Sequence, residues 1–247
     1  MVTRTLIFLY AILSYSLFVA SFLYALGFFA NIVVPKSIDV GGQASFGEAI
    51  AVDLALLGLF AFQHSLMARP AFKQRWTRII PSAAERSTYV LLSSLALILI
   101  YWLWLPIPAI IWQTDGLAAS VLVLLQGSGW LIALGSTFMI DHFDLFGLRQ
   151  GLSAMRGVAS STPAFQVRWF YRLVRHPLML GFLIAFWAVP VMTVGHLVFA
   201  VMTTLYIFGA LPFEERDLMA SLGQPYAEYR GRVPMLVPFL KVLRRPN

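Results

Sequence analysis

Residues 175–216 read RHPLMLGFLIAFWAVPVMTVGHLVFAVMTTLYIFGALPFEER, and the way this stretch crosses a lipid layer decides the fold. Between the polar ends Arg175-His176-Pro177 and Glu214-Glu215-Arg216 runs an apolar segment, 178–211. As one straight helix it would be about 51 Å long at 1.5 Å per residue, well beyond a hydrocarbon core of about 30 Å. Pro190, Thr193 and Gly195 stand near its middle and supply breaker chemistry, so residues 178–189 and 196–211 are expected to form a tight helical hairpin. A hairpin returns both polar ends to one level.

The rest of the chain supports a membrane setting. Of its 247 residues, 60% are hydrophobic and only 12% charged, far from the usage of a soluble domain. Four further apolar segments, 6–30, 48–67, 88–112 and 117–140, each reach the roughly 20 residues that a crossing needs. The expected fold class is all-α: a polytopic membrane helical bundle of five to six spans, the last two a hairpin, with a C-terminal cap. The segment 6–30 follows Arg4, is longer than the apolar region of a signal peptide and lacks a small-x-small cleavage pattern, so it reads as a retained span. With no cysteine, a disulfide framework, a thiolate metal site and a cysteine nucleophile are all excluded.

The 18 basic residues give the orientation. In this layout Lys36 falls on one side, while Arg4, the clusters within 69–86 and 149–175, and those within 216–245 fall on the other, which the positive-inside rule makes cytoplasmic. Topology and anionic headgroups therefore account for the net charge of +7, and no nucleic-acid partner is called for.

Two regions follow: membrane helices in 1–141, and a loop, hairpin and cap in 142–247. The connection 142–176 is too long for a simple linker, and such loops commonly carry function. Thr162-Pro163 offers an N-cap followed by a first-turn proline. Beyond it Phe165, Trp169 and Leu173 form one stripe and Arg168, Arg172 and Arg175 another, as in an interfacial helix. In the tail, Pro225, Tyr226, Tyr229, Val233, Pro234 and Pro238 mark a compact cap. Either charged cluster alone is ordinary punctuation of a span end; facing each other at the mouth of a hairpin, they form a candidate site.

The joint pattern R-H-P-x-x-x-G, an apolar hairpin, E-E-R, then Leu222-Gly223, Tyr226, Tyr229, Val233-Pro234 and Pro238 resembles the C-terminal signature of the isoprenylcysteine carboxyl methyltransferase superfamily. Three earlier pieces resemble more narrowly the bacterial methanethiol S-methyltransferases and their NnrU-like relatives. They are Gln63-His64-Ser65-Leu66-Met67, Glu85-Arg86-Ser87-Thr88-Tyr89 and the stretch from His142-Phe143-Asp144 to Arg149-Gln150. The resemblance implies a bacterial inner-membrane enzyme that holds S-adenosylmethionine on the cytoplasmic face, between the last hairpin and the tail. It places the cofactor site at Arg175, His176, Pro177, Met179, Gly181, Glu214, Glu215, Arg216, Tyr226 and Tyr229.

Such a cofactor presents a carboxylate, an amino group, a ribose diol, an adenine and a sulfonium, so its pocket needs cations, carboxylates and apolar walls. Arg175 or Arg216 is a candidate for the carboxylate. Glu214 or Glu215 is one for the amino group or the ribose, and His176 for a hydrogen bond to the cofactor or a cap on the hairpin. The superfamily places a tyrosine where this chain has Met179, which offers a thioether to the adenine or the sulfonium methyl instead. Tyr226 and Tyr229 are expected to close the site from the tail.

The acceptor implied is a small thiol, methanethiol, converted to dimethyl sulfide and entering from membrane lipid. Thiols titrate near pH 8.5, judging from cysteine at about that value, so a base is wanted. The catalytic candidates are His64, near the cytoplasmic end of its span, and His142, flanked by Asp141 and by Asp144, which would raise its basicity. A structural role stands beside each. Asp53 is costly in lipid and must be paired. His196 reads as structural, and the small residues Gly127, Ser128, Gly129, Gly135 and Ser136 as a close helix-packing face. An isoprenyl or phospholipid acceptor, and a non-catalytic NnrU-like membrane component, are the alternatives, and the oligomeric state stays open.

Overall fold

A computed structural model describes residues 1–159 and 165–238. The chain runs α1 (Val2–Ala30), α2 (Phe46–Ala68), α3 (Pro70–Trp76), α4 (Ser82–Leu103), β1 (Ile110–Gln113), α5 (Gly116–Ile140), α6 (His142–Leu145) and α7 (Leu148–Arg156). After a 3-10 turn at Trp169–Arg172 come α8 (Pro177–Trp187), β2 (Val191–Thr193), α9 (Val194–Leu222) and α10 (Gln224–Arg232). Among the described residues five helices, α1, α2, α4, α5 and α9, are long and apolar enough to cross a membrane. The protein is an all-α, polytopic integral membrane protein.

Local chemistry sets most boundaries. Asn31 takes a left-handed conformation with φ 56° and ends α1 by donating its N–H to Gly27 O. Ser45 Oγ accepts the Glu48 N–H at 3.3 Å and opens α2 as its N-cap. The third span is displaced from the expected 88–112: α4 starts earlier and stops at Leu103, because Pro106 and Pro108 cannot donate to a continuing helix. Beyond them the chain is extended as β1.

The terminal hairpin forms, with a different division. α8 has 11 residues, about 16 Å at 1.5 Å per residue, and cannot cross alone. Beyond it the chain turns at 188–190 and runs extended only over Val191–Thr193. Non-helical backbone at depth must find partners within the protein. Thr114 N–H donates to Pro190 O at 2.9 Å, Val194 N–H to Ala109 O at 2.8 Å and Gly195 N–H to Ile107 O at 3.1 Å. Thr193 Oγ1 then accepts the His196 N–H at 3.1 Å and caps α9.

α9 runs for 29 residues through Pro212, so at about 43 Å it overshoots the roughly 30 Å core and carries Glu214 and Glu215 beyond its apolar part. The two arms of the hairpin pack through Ile207 and Leu211 on α9 against Met179, Leu180, Phe182 and Leu183 on α8. Trp187 Nε1 donates to Thr204 Oγ1 at 2.9 Å.

Two compact units divide the chain. One comprises Met1–Ile111, His142–Thr162 and Thr193–Phe199, the other Trp112–Asp141, Pro163–Met192 and Ala200–Asn247. In the first, α1 packs on α4 and α7, and α2 on α4. Trp104 is fully buried and donates Nε1–H to Ile38 O at 3.0 Å. Asp53, also fully buried, is paired in part: its Oδ1 accepts the Leu105 N–H at 3.0 Å, while Oδ2 meets no hydrogen-bond donor among the described residues. His196 lies 5.9 Å from the Phe29 ring in the interior.

In the second unit α5 and α8 meet at Gly129 and Gly181. A Cβ on Gly181 would come within 2.5 Å of Ala133 N, and one on Gly129 within 2.6 Å of Ala185 N. Backbone contact this close excludes any side chain. The packing face expected around Gly129 is real there, whereas Gly127 faces open space.

The interfacial helix expected after Thr162-Pro163 is not what the described residues form, and Thr162 and Pro163 lie outside them. Residues 165–168 are not helical, and only the 3-10 turn Trp169–Arg172 follows, with Trp169 at φ 42°. Tertiary pairing explains this. The Tyr171 carbonyl accepts the Tyr229 hydroxyl at 2.7 Å, and the backbone N–H groups of Arg175 and His176 donate to Pro234 O and Met235 O, which removes them from helix bonding. The helices in this connection are instead α6 and α7.

Candidate functional site

Pro177 sits in the first turn of α8, so Arg175 and His176 lie just before the helix, beside Glu214 and Glu215 of α9. Pro212, Glu215, Arg216 and Met219 share one face of α9 at i, i+3, i+4 and i+7. Glu215 is 5% exposed and is the hub. Arg175 donates to it bidentately, Nε to Oε1 at 2.8 Å and Nη2 to Oε2 at 3.0 Å. His176 Nε2 lies 2.8 Å from Oε1, the Tyr226 hydroxyl donates to Oε1 at 2.8 Å, and Arg230 Nε stands 3.3 Å from Oε2.

The tail is fastened over this hub. Arg175 Nη1 donates to Val233 O at 2.6 Å and to Arg230 O at 3.3 Å. The Arg175 N–H donates to Pro234 O at 2.9 Å and the His176 N–H to Met235 O at 3.1 Å. Tyr226 and Tyr229 on α10 are buried and pack with Phe165, their rings 6.0 and 5.5 Å from it.

His176 is also bracketed by Glu214, whose Oε1 lies 3.7 Å from Nδ1 and whose side chain is 42% exposed. Burial pulls the His176 pKa down, but the hydrogen bonds and charges of Glu214 and Glu215 outweigh it and leave the group above the ordinary histidine value. Burial, together with the Glu215 carboxylate, pushes the Tyr226 phenol well above its usual range, so it remains a donor.

An open cavity of about 500 Å³ is lined by Arg175, Pro212, Glu215, Arg216, Met219, Arg230 and Met235. That size suits a drug-sized ligand. Its lining carries three cations and one carboxylate, and the carboxylate is already taken by internal donors. Arg216 is exposed and stacks over Phe213, 5.4 Å from the ring centroid.

Of the sequence candidates, the structure brings together Arg175, His176, Glu214, Glu215, Arg216, Tyr226 and Tyr229, with Pro177 at the mouth. Met179 points into the apolar contact with Ile207 and Leu211, and Gly181 faces α5. His64, His142 and Asp144 belong to the other unit. His64 Nε2 lies 2.7 Å from the Tyr89 hydroxyl, with Phe60 stacked on its ring at 5.2 Å. His142, buried, has Nε2 2.9 Å from the Tyr15 hydroxyl, and Asp144 Oδ1 accepts from Gln150 Nε2 at 3.3 Å.

Three partners of these groups, Tyr89, Arg230 and Tyr15, had no role assigned from the sequence. Tyr89 lies within the motif Glu85-Arg86-Ser87-Thr88-Tyr89 and was legible there. Arg230 follows Tyr226 by four residues and so shares its helix face. Tyr15 carries no signal, since it is one aromatic among many in α1.

The fold and the site define a polytopic helical membrane protein with a ligand-sized, cation-rich pocket where its last hairpin meets the tail. Comparison with known proteins narrows this. The chain is 60% identical to methanethiol S-methyltransferase 2 of Bradyrhizobium diazoefficiens across all of this chain and 95% of that protein. It is 52% identical to the methanethiol S-methyltransferase of Mycobacterium tuberculosis across 96% of this chain and 97% of that one. A Nurim homolog of Drosophila melanogaster is 31% identical across 71% of this chain and 72% of its own length. No family model matches, and no solved structure does. The chain belongs to the methanethiol S-methyltransferase family.

Proposed function

We propose that the protein methylates methanethiol to dimethyl sulfide, with S-adenosylmethionine as donor, at a site on the cytoplasmic face of a bacterial inner membrane. The observation that carries this is the cavity under the tail, in a chain whose full-length relatives are named for that reaction. Its residues fit the donor. Arginines line it for a carboxylate, Pro212, Met219 and Met235 supply apolar wall, and Glu214, partly exposed beside His176, is a candidate for an amino group or a ribose. When bound, the donor supplies an electrophilic methyl group on a sulfonium.

The chain's own work is to fix that group in line and to exclude water. Glu215 holds Arg175, His176 and Tyr226 in one arrangement, and the backbone bonds from 175–176 to 234–235 keep the tail over the pocket. The acceptor thiol must lose its proton to a base. His64 and His142 are the candidates, each with Nε2 against a phenol hydroxyl that fixes the ring. A small apolar acceptor partitions into lipid, which suits a site at the end of membrane helices. The clustering of basic residues in the connections that the order of spans assigns to one side supports the cytoplasmic orientation.

Proteoliposomes carrying the protein, given S-adenosylmethionine with a trideuterated methyl group and methanethiol, should release dimethyl sulfide three mass units heavier into the headspace. Unlabelled product, or label recovered only on lipid, rejects the reading.

A further inference from the structure

We propose that Arg230, acting with Arg216, binds the ligand's carboxylate, and that Arg175, although it lines the same cavity, does not. The inference deepens the proposed function and rests on S-adenosylmethionine being the donor. A guanidinium has five N–H donors. Arg175 is buried and commits Nε and Nη2 to the two oxygens of Glu215 and Nη1 to the carbonyls of Val233 and Arg230. Its bidentate edge is occupied. With one Nη2 N–H left over, a ligand carboxylate could pair with that edge bidentately only by displacing Glu215, which would strand His176 and Tyr226 as well.

Arg230 differs in each respect. Its side chain is 54% exposed, it lines the cavity, and among the described residues its side chain meets one acceptor, Glu215 Oε2, 3.3 Å from Nε. Arg216 reaches the same cavity from α9, seated on the Phe213 ring. The lining therefore holds three guanidinium groups and one carboxylate, and that carboxylate already faces Arg175 and His176. A ligand bearing an anionic group balances the surplus, and the planar fork of Arg230 matches a carboxylate.

The test is calorimetric, on detergent-purified full-length protein, with S-adenosylhomocysteine and its analogue lacking the α-carboxylate. The parent should bind the first more tightly. Arg230→Gln should weaken S-adenosylhomocysteine by about ten- to a hundredfold, the size of a charge-assisted pair, and leave the analogue within about twofold. Arg216→Gln should show the same selectivity, and Arg230→Lys should recover part of the loss. Variants that lose both ligands in parallel, or neither, overturn the assignment of the arginines while leaving the donor in place. A parent that binds neither ligand overturns the donor, and this assignment with it.

Discussion

Replacing Glu215 by alanine would leave Arg175 and His176 buried without their counter-charge, a change that costs about 3–5 kcal/mol when a buried pair is broken. The expected result is a large drop in melting temperature, with Glu214→Ala close to the parent because that side chain is 42% exposed. Equal losses in both variants would contradict the hub role. His176 adds a pH dependence. Its pKa is raised in the folded state, so its pairing stabilises fully below the ordinary value of about 6.5 and is lost as pH rises through the folded value. Thermal melts should show the parent losing stability above neutrality more steeply than His176→Gln; parallel curves would refute it. At this scale the sequence displayed Arg175, His176 and both glutamates. It could not display that Glu215 is consumed by its neighbours, since that depends on where the tail lands.

Between elements, the tightest contact is α5 against α8. Gly181→Ala would drive a methyl group into the backbone of α5, where Ala133 N and Gly129 O lie 2.5 and 2.6 Å from the new atom. Overpacking of this kind costs about 1–3 kcal/mol, read as a lower melting temperature, while Gly127→Ala, which faces open space, should be neutral. Indistinguishable stabilities would mean the helices do not approach so closely.

The elements also show where a sequence stops being legible. Pro190 and Thr193 announced the break in the hairpin, and both act there, Pro190 through its carbonyl and Thr193 as the cap of α9. The shortness of α8 was hidden because the non-helical backbone that follows it finds its partners in 107–114, far away in sequence. The stripe Phe165, Trp169 and Leu173 suggested a helix, but Tyr171, Arg175 and His176 give their backbone bonds to the tail.

For the whole molecule, orientation is the quantity that charge alone predicted. The absence of cysteine makes it easy to test, because one introduced thiol reports one position. Gln43→Cys, in the exposed connection before α2, should react with a membrane-impermeant reagent in intact cells. Arg232→Cys, at the exposed end of α10, should react only after the inner membrane is opened. The reverse pattern would place the cavity on the wrong face for a cofactor made in the cytoplasm.

The cavity between α9 and the tail is where the donor is expected to bind, and a structure with bound S-adenosylhomocysteine tests this most directly. It should show the ligand against Pro212, Met219 and Met235, its carboxylate on Arg230 and Arg216, with the Arg175–Glu215 pair intact. Ligand bound beside His64 or His142, with this cavity empty, would contradict it.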